Sequence, residues 1–192
     1  MLLDNTLTIV NGCKARDPKY QQIFYELYRA FALKVVYRYI YNYEEAREVS
    51  NDGFVKFFLS IDSFRYETAV SVENLVNSWL RRIMINTSID LLRKKMLLPE
   101  IGGITDSHLD IPLDEESADQ LAVYNDMIKL VKQLPPAYRI VFNMYVIDGY
   151  SHLQISESLN IPMSTSRSNL SRARNLLMKY LNQTEALVKC SM

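Results

Sequence analysis

The chain has 192 residues, with 22 basic and 22 acidic side chains, and therefore carries no formal net charge at pH 7. Hydrophobic residues make up 48% of it, whereas glycine and proline number only 5 and 6. This composition is ordinary for a globular protein, and it favours an all-α chain of one or two small domains.

Several kinds of site and location are disfavoured by what the sequence lacks. Cys13 and Cys190 lie near opposite ends, and no CxxC or Cys/His spacing is present. We therefore expect reduced thiols and no zinc site, disulfide framework or cofactor. No apolar run reaches the roughly 18 residues of a membrane-spanning helix, and the first residues lack the basic start of a signal peptide. The sequence predicts a cytoplasmic protein without membrane insertion.

The zero net charge conceals an uneven distribution. From Pro99 to Asp126 the chain has many acidic residues and no Lys or Arg, so the remainder is basic. Prolines and the Gly102–Gly103 pair also interrupt any periodicity after residue 97. Residues 97–117 are therefore predicted to form a flexible acidic linker that joins two small helical domains, 1–96 and 118–192.

Three helices are predicted in the first domain, over about residues 17–41, 44–59 and 71–96. Asp17 and Pro18 supply an N-cap and a first-turn proline for the first of them. Gly53 lies inside the second helix, where glycine costs up to about 1 kcal/mol relative to alanine. Residues 62–71 are predicted to form a loop.

The third predicted helix has a polar face. Arg82, Asn86 and Arg93 fall within about 40° of one another at about 100° per residue. On the residues alone, the simpler explanation is a solvated helix face with an Asp90–Arg93 or Asp90–Lys94 pair. A nucleic-acid role for this face stays open at this point.

The second domain is predicted to contain a helix-turn-helix. Ser151 and Gln154 form a capping-box pattern at the start of a short helix. A tight break follows at residues 160–162, and a longer helix then runs over about residues 164–181. A short helix, a turn of three or four residues and a longer helix are typical of a DNA-binding helix-turn-helix.

The start of the last helix carries hydroxyl, amide and guanidinium groups in place of the usual Glu and Lys. Short hydroxyls let a helix approach the floor of the major groove, and Arg and Asn can bond to base edges or phosphates. The alternative is a Ser-rich N-cap on an ordinary amphipathic helix. The outer face is predicted to contain Ser164, Thr165, Ser166, Arg167, Ser168, Asn169, Ser171 and Arg172.

The two halves together resemble the extracytoplasmic-function (ECF) sigma factors, the minimal bacterial sigma type with only regions two and four. The resemblance covers about residues 22–181. In the first half, FYELYRAFALKVVYRYI is similar to the opening helix of region two, EEAREVSNDGFVKFFLSIDSF to its core-binding helix, and WLRRIMINTSIDLLRKK to its Trp, Leu, Ile, Asn, Asp and Arg pattern. In the second half, LPPAYRIVFNMYVIDGYSHLQISESLNIPMSTSRSNLSRARNLL follows the region-four pattern.

The resemblance implies a role for each domain. Domain 1–96 would bind core RNA polymerase and the minus-ten element, with residues 62–71 accepting a flipped minus-ten base. Domain 118–192 would bind the minus-thirty-five element. The implied core-polymerase-binding residues are Val49, Asp52, Phe54 and Phe57. The implied minus-ten residues are Arg82, Asn86, Arg93 and Lys94. The implied minus-thirty-five residues are Thr165, Arg167, Ser168, Asn169 and Arg172.

The function implied by the resemblance is that of an alternative sigma factor, which directs promoter recognition and melting. Its partners would be core RNA polymerase, promoter DNA and an anti-sigma factor. No catalytic site is predicted, because His108 and His152 have no plausible partner and the acidic residues form no paired site. Two alternatives remain: a dimeric helix-turn-helix regulator, and a helical adaptor without DNA function.

Overall fold

The computed structural model describes residues 2–66, 71–95 and 128–190, with side chains over residues 6–66, 71–95 and 128–183. These residues form helices and contain no strand, which confirms the predicted all-α class. The chain divides into two compact units, Met1–Leu91 and Leu92–Met192. The predicted linker, residues 97–117, lies outside the described residues.

The first unit begins with a helix that the sequence patterns did not predict, α1 (Leu2–Lys14). The next helix, α2 (Pro18–Ile40), starts as predicted, because the Asp17 carboxylate accepts a hydrogen bond from the Lys19 backbone N–H at 2.9 Å. Such N-caps satisfy one of the orphan donors of a first helical turn. The α2 helix ends at Tyr41, which has a φ of 54°.

The remaining helical segments are α3 (Tyr43–Ser60), a 3₁₀ turn (Ile61–Ser63) and α4 (Val72–Lys94), which belongs to the first unit as far as Leu91. The α3 helix is continuous through Gly53, despite the low helix propensity of glycine. A Cβ at Gly53 would lie 2.4 Å from the Met84 Sδ atom of α4. Glycine at this position therefore allows α3 and α4 to pack closely.

Aromatic rings form the centre of the first unit. The Phe24 ring of α2 stacks on Phe57 of α3 at 4.4 Å and meets Phe54 edge-on at 6.4 Å. Phe57 also lies 4.8 Å from Trp79 of α4. Phe24 and Phe57 are fully buried. Each aromatic pair of this kind adds about 0.5–1.5 kcal/mol to the stabilisation from burial, so these rings hold the three helices together.

The second unit contains a helical stretch at residues 128–132, α5 (Pro136–Phe142) with a π-helical turn (Asn143–Ile147), α6 (His152–Leu159) and α7 (Met163–Cys190). Its core is apolar and draws on every one of these segments. The buried apolar side chains are Val131, Leu134, Ile140, Val141, Phe142, Met144, Ile155, Leu159, Leu170 and Ala173. No helix in the described parts of the chain is long and apolar enough to cross a membrane.

The predicted helix-turn-helix consists of α6, a short turn and α7. The capping box at the start of α6 is confirmed, since Ser151 Oγ accepts from the Gln154 N–H at 3.2 Å and Gln154 Oε1 accepts from the Ser151 N–H at 2.9 Å. Asn160 ends α6 in the left-handed conformation, with a φ of 53°. Asparagine tolerates that conformation better than most residues. Ser156 Oγ donates to the Ile161 carbonyl at 2.6 Å and closes the turn.

Candidate nucleic-acid interface

The first turns of α7 present a basic and hydroxyl-rich surface. Arg167, Ser168, Ser171 and Arg172 are exposed, and at about 100° per residue they cover an arc of about 140°. Thr165 is half-buried at the edge of this surface. These residues have the groups that bond to base edges and phosphates in a major groove. We call Arg167, Ser168, Ser171 and Arg172 the α7 face.

The opposite side of α7 packs inward, and it includes two residues that the sequence analysis placed outside. Ser166 is fully buried and Asn169 is 5% exposed. Both fall with Leu170 and Ala173 on an arc of about 100° that faces the core. The prediction that Asn169 lies on the outer face is therefore wrong, and so is the same prediction for Ser166. A side chain that is buried on the inward face is not available to read a base.

Two arginines of α7 lie against aromatic rings of α5 and its π-helical turn. The Arg172 guanidinium is 6.0 Å from the centre of the Tyr138 ring, and its Nη1 donates to the Tyr138 hydroxyl at 3.3 Å. The Arg174 guanidinium is 5.9 Å from the centre of the Tyr145 ring. Cation–π contacts at exposed sites contribute about 0.5–1 kcal/mol each. Their effect here is to restrict two long, exposed side chains.

His152, at the start of α6, contacts both Tyr145 of the π-helical turn and Ser166 of α7. Its ring stacks on Tyr145 at 4.5 Å, and its Nδ1 lies 2.9 Å from the Ser166 Oγ atom. Burial, together with the positive charges of Arg167 and Arg174, lowers the pKa of His152. The sequence analysis found no partner for His152, since its contacts come from residues distant in sequence.

The polar face predicted on α4 is present in the structure. Arg82, Asn86, Arg93 and Lys94 are all exposed. Asp90, which the sequence analysis offered as a partner for Arg93 or Lys94, forms an ion pair with Lys56 of α3 at 3.0 Å. These four exposed residues carry three cationic groups and one amide.

The predicted polymerase-binding set on α3 has three buried members and one exposed member. Val49 and Phe54 are 5% and 3% exposed and Phe57 is fully buried, because all three pack into the core of the first unit. These three side chains are therefore not on the surface of this structure, and Asp52 is the exposed member of the set. Their contact with core RNA polymerase stays a prediction.

The sequence analysis missed two exposed apolar residues beside Asp52. Val55 and Leu59 are 57% and 70% exposed, and they fall within about 60° of Asp52 on the helix. Their spacing from Asp52, at three and seven residues, was the available signal. We call Asp52, Val55 and Leu59 the α3 face.

The geometry defines the class of protein: a helix-turn-helix protein with an arginine-bearing recognition helix and a second, helical unit. Two family models match it. Sigma-70 region 2 matches residues 24–97, and Sigma-70, region 4 matches residues 124–177. The second match includes the helix-turn-helix and the α7 face, and the first includes α3, α4 and most of α2.

Individual relatives agree with the family models. The chain is 30% identical over 166 residues to the ECF RNA polymerase sigma factor SigW of Bacillus subtilis, covering 81% of this chain and 86% of SigW. It is 26% identical over 164 residues to the RNA polymerase sigma-H factor of Pseudomonas aeruginosa, covering 80% and 82%. Among solved structures, CnrH in complex with the cytosolic domain of CnrY aligns with a TM-score of 0.46 and 18% identity, over 92% of this chain and 96% of that one.

The chain belongs to the ECF family of RNA polymerase sigma factors. It is an alternative sigma factor that acts in transcription initiation. Sigma factors are DNA-binding initiation factors that bind core RNA polymerase and promoter DNA. The resemblance stated from the sequence is therefore confirmed.

Proposed function

We propose that this sigma factor reads the minus-thirty-five element through α7 and holds the melted minus-ten strand through α4. The observation that carries the first part is the α7 face, on which Arg167, Ser168 and Arg172 are exposed at the start of the second helix of a helix-turn-helix. Recognition helices contact base edges with their N-terminal residues. Thr165, at the edge of this face, is assigned to the same element, and Asn169 is not.

The minus-ten part of the proposal rests on α4. Arg82, Arg93 and Lys94 would contact backbone phosphates, and Asn86 would bond to an unstacked base. Phosphate contacts supply most of the affinity of such interfaces and make it fall with salt. Residues 62–71 would accept a flipped base, at a cost of a few kcal/mol that polymerase binding helps to offset. Residues 67–70 of this loop lie outside the described part of the chain.

The α3 face is the proposed docking surface for core RNA polymerase. It combines the Asp52 carboxylate with the exposed apolar side chains of Val55 and Leu59. An apolar centre with a polar edge is typical of protein interfaces. We therefore expect Leu59→Asp to weaken core binding about tenfold without lowering the unfolding temperature. Met178→Asp, at a residue of α7 that is 63% exposed, is the matched control.

The domain assignment follows from these sites. Residues 1–96 form the region-two domain, 97–117 the acidic linker and 118–192 the region-four domain. An anti-sigma factor is a further partner proposed from membership of the family. The protein is placed in the cytoplasm by this proposal, because its partners are core RNA polymerase and chromosomal DNA. It has no catalytic activity of its own.

The main test uses the full chain with purified core RNA polymerase. Promoters are first selected from fragmented genomic DNA by the reconstituted holoenzyme, and the affinity of each variant is then measured on one selected promoter at several salt concentrations. Arg167→Ala and Arg172→Ala should each cost about 1–3 kcal/mol if they contact bases, and relax preference at one minus-thirty-five position. Arg29→Ala is the control, because Arg29 is a 63% exposed arginine of α2 paired with Glu26.

Two outcomes would contradict the proposal. A wild-type protein that neither co-elutes with core RNA polymerase nor selects promoter fragments would disprove it as a whole. The assignment of the α7 face would be disproved by a second result. In it, both arginine variants keep the wild-type base preference, and the salt dependence of promoter binding falls by the same amount in Arg29→Ala as in these two variants.

A further inference from the structure

The α1 helix is a packed part of the first unit, although it precedes the residues that match the Sigma-70 region 2 model, 24–97. Ile9, Val10 and Cys13 of α1 are buried. A Cβ at Gly12 would lie 2.2 Å from the Tyr20 Cγ atom of α2, so the two helices touch backbone to side chain at this glycine. The position of the C-terminal end of α1 is therefore fixed by packing.

Residues at the C-terminal end of α1 form hydrogen bonds with the last turn of α3 and with the segment that follows it. Arg16 donates to the Phe58 carbonyl at 2.7 Å through Nη1 and pairs with the Asp62 carboxylate at 2.7 Å through Nη2. Lys14 Nζ donates to the Phe64 carbonyl at 2.9 Å. The carbonyls in the last turn of a helix lack partners within the helix, and the Phe58 carbonyl obtains one from Arg16, just after α1.

Arg16 occupies a position at which helices usually have glycine. Its φ is 61°, the Arg16 N–H donates to the Cys13 carbonyl at 3.0 Å, and the Asp17 N–H donates to the Gly12 carbonyl at 3.1 Å. These bonds form a Schellman motif, in which the left-handed residue is commonly glycine because a Cβ is disfavoured there. An arginine at this position is explained by the two contacts of its side chain, not by its backbone.

Phe64 is held from two sides. Its backbone carbonyl accepts from Lys14, whose Nζ also lies 5.8 Å from the centre of the Phe64 ring. The same ring lies 5.4 Å from Trp79 of α4 and is 5% exposed. The chain therefore leaves the 3₁₀ turn in a direction that α1 and α4 together determine.

We propose that Lys14 and Arg16 are positioning residues for minus-ten recognition. These two side chains fix Asp62–Phe64, the first residues of the 62–71 loop. This inference rests on the proposed function, in which residues 62–71 accept a flipped base. The Arg16 and Asp62 side chains are 48% and 65% exposed, and exposed ion pairs contribute little to stability. The Arg16–Asp62 pair therefore serves the placement of the loop more than the stability of the unit.

The decisive variant is Arg16→Gly. Glycine adopts the left-handed conformation freely, so the end of α1 keeps its backbone geometry and loses only the contacts with Phe58 and Asp62. Lys14→Ala removes the contact with Phe64, and Arg16→Lys keeps the charge that faces Asp62. Lys19→Ala removes an exposed lysine from the first turn of α2 and is the matched control.

Each variant is assayed as full-length holoenzyme. Promoter opening is followed with 2-aminopurine placed at single minus-ten positions, and its rate is compared between a selected promoter and the same promoter with one minus-ten base changed. Arg16→Gly and Lys14→Ala should reduce this discrimination roughly tenfold, the size of one lost base contact. Arg16→Lys should recover part of it. Core affinity, unfolding temperature and minus-thirty-five binding should stay at wild-type values.

Each contrary outcome is informative. Wild-type discrimination in both Arg16→Gly and Lys14→Ala would overturn this inference alone. A parallel fall in unfolding temperature, core affinity and opening would show a merely structural role and would also overturn it. A wild-type holoenzyme that opens no promoter would contradict the proposed function, and this inference with it.

Discussion

The Arg172 side chain of α7 packs against the Tyr138 side chain of α5. Its guanidinium donates to the phenolic oxygen at 3.3 Å and lies 6.0 Å from the ring centre. The ring limits the orientations that the free arginine samples. Binding then costs less side-chain entropy. Because Tyr138 precedes Arg172 by 34 residues, this pairing arises from the packing of α5 on α7.

Tyr138→Leu should therefore weaken binding of the minus-thirty-five element by about 1 kcal/mol. Tyr138→Phe keeps the ring and should lose less. Fluorescence anisotropy of holoenzyme on a selected promoter measures both. In an Arg172→Ala background the Tyr138→Leu change should add nothing, and an equal loss in both backgrounds would mean that Tyr138 acts by another route.

Asn169→Ala should leave promoter preference unchanged, because Asn169 is 5% exposed on the inward side of α7. The expected cost is in stability, of about 1–2 kcal/mol, since a packed polar side chain is lost. Urea unfolding measures that cost. Competition between promoters that differ at single minus-thirty-five bases measures preference, and a relaxed preference at one base would return Asn169 to the interface.

The helix ends that were predicted correctly depend on local chemistry. Asp17 caps α2 through the Lys19 N–H, and the Ser151–Gln154 capping box starts α6; both can be recognised from residues within three positions. The helix-turn-helix follows from the same kind of signal. Such features are readable in the sequence, since the bonds close within one turn.

The errors concern burial, which depends on what packs against a helix. Ser166 and Asn169 fit an outer face by residue type, but the structure buries both on the side of α7 that faces the core. The α1 helix was missed because its apolar residues alternate with Asn and Thr. Its packing depends on the contact between Gly12 and Tyr20, which no local pattern reveals.

Gly53→Ala should destabilise the protein, although alanine is the better helix former by about 1 kcal/mol. The new methyl group would lie 2.4 Å from Met84 Sδ and 2.8 Å from Met84 Cε, and Met84 is fully buried. Overpacking of this kind costs about 1–3 kcal/mol. Urea unfolding of the purified protein gives the sign, and a stabilised Gly53→Ala variant would contradict the close packing of α3 on α4.

A double-mutant cycle shows whether Met84 is the cause. Met84→Ala alone should cost about 2–5 kcal/mol, because it leaves a cavity. In the double variant the alanine methyl at position 53 occupies part of that cavity, so the combined cost should be smaller than the sum of the two single costs. Strict additivity would mean that the two side chains do not meet.

The pKa of His152 predicts a pH dependence of stability. Burial, Arg167 and Arg174 lower this pKa in the folded protein, so the unfolded chain binds more protons at pH values between the folded pKa and the ordinary value of about 6.5. Charging His152 then favours unfolding. Stability should fall as the pH drops through about 6.5 and should level off once the pH is below the folded pKa.

His152→Gln removes this contribution, because glutamine cannot charge and retains an amide that can bond to Ser166. The difference in unfolding free energy between the two proteins, followed by urea denaturation from about pH 7.5 to pH 5, cancels the titration of carboxylates and of His108, which both proteins share. Wild type should lose more stability than His152→Gln over this range. Parallel curves would contradict the lowered pKa of His152, and with it the combined effect of burial, Arg167 and Arg174 on this ring.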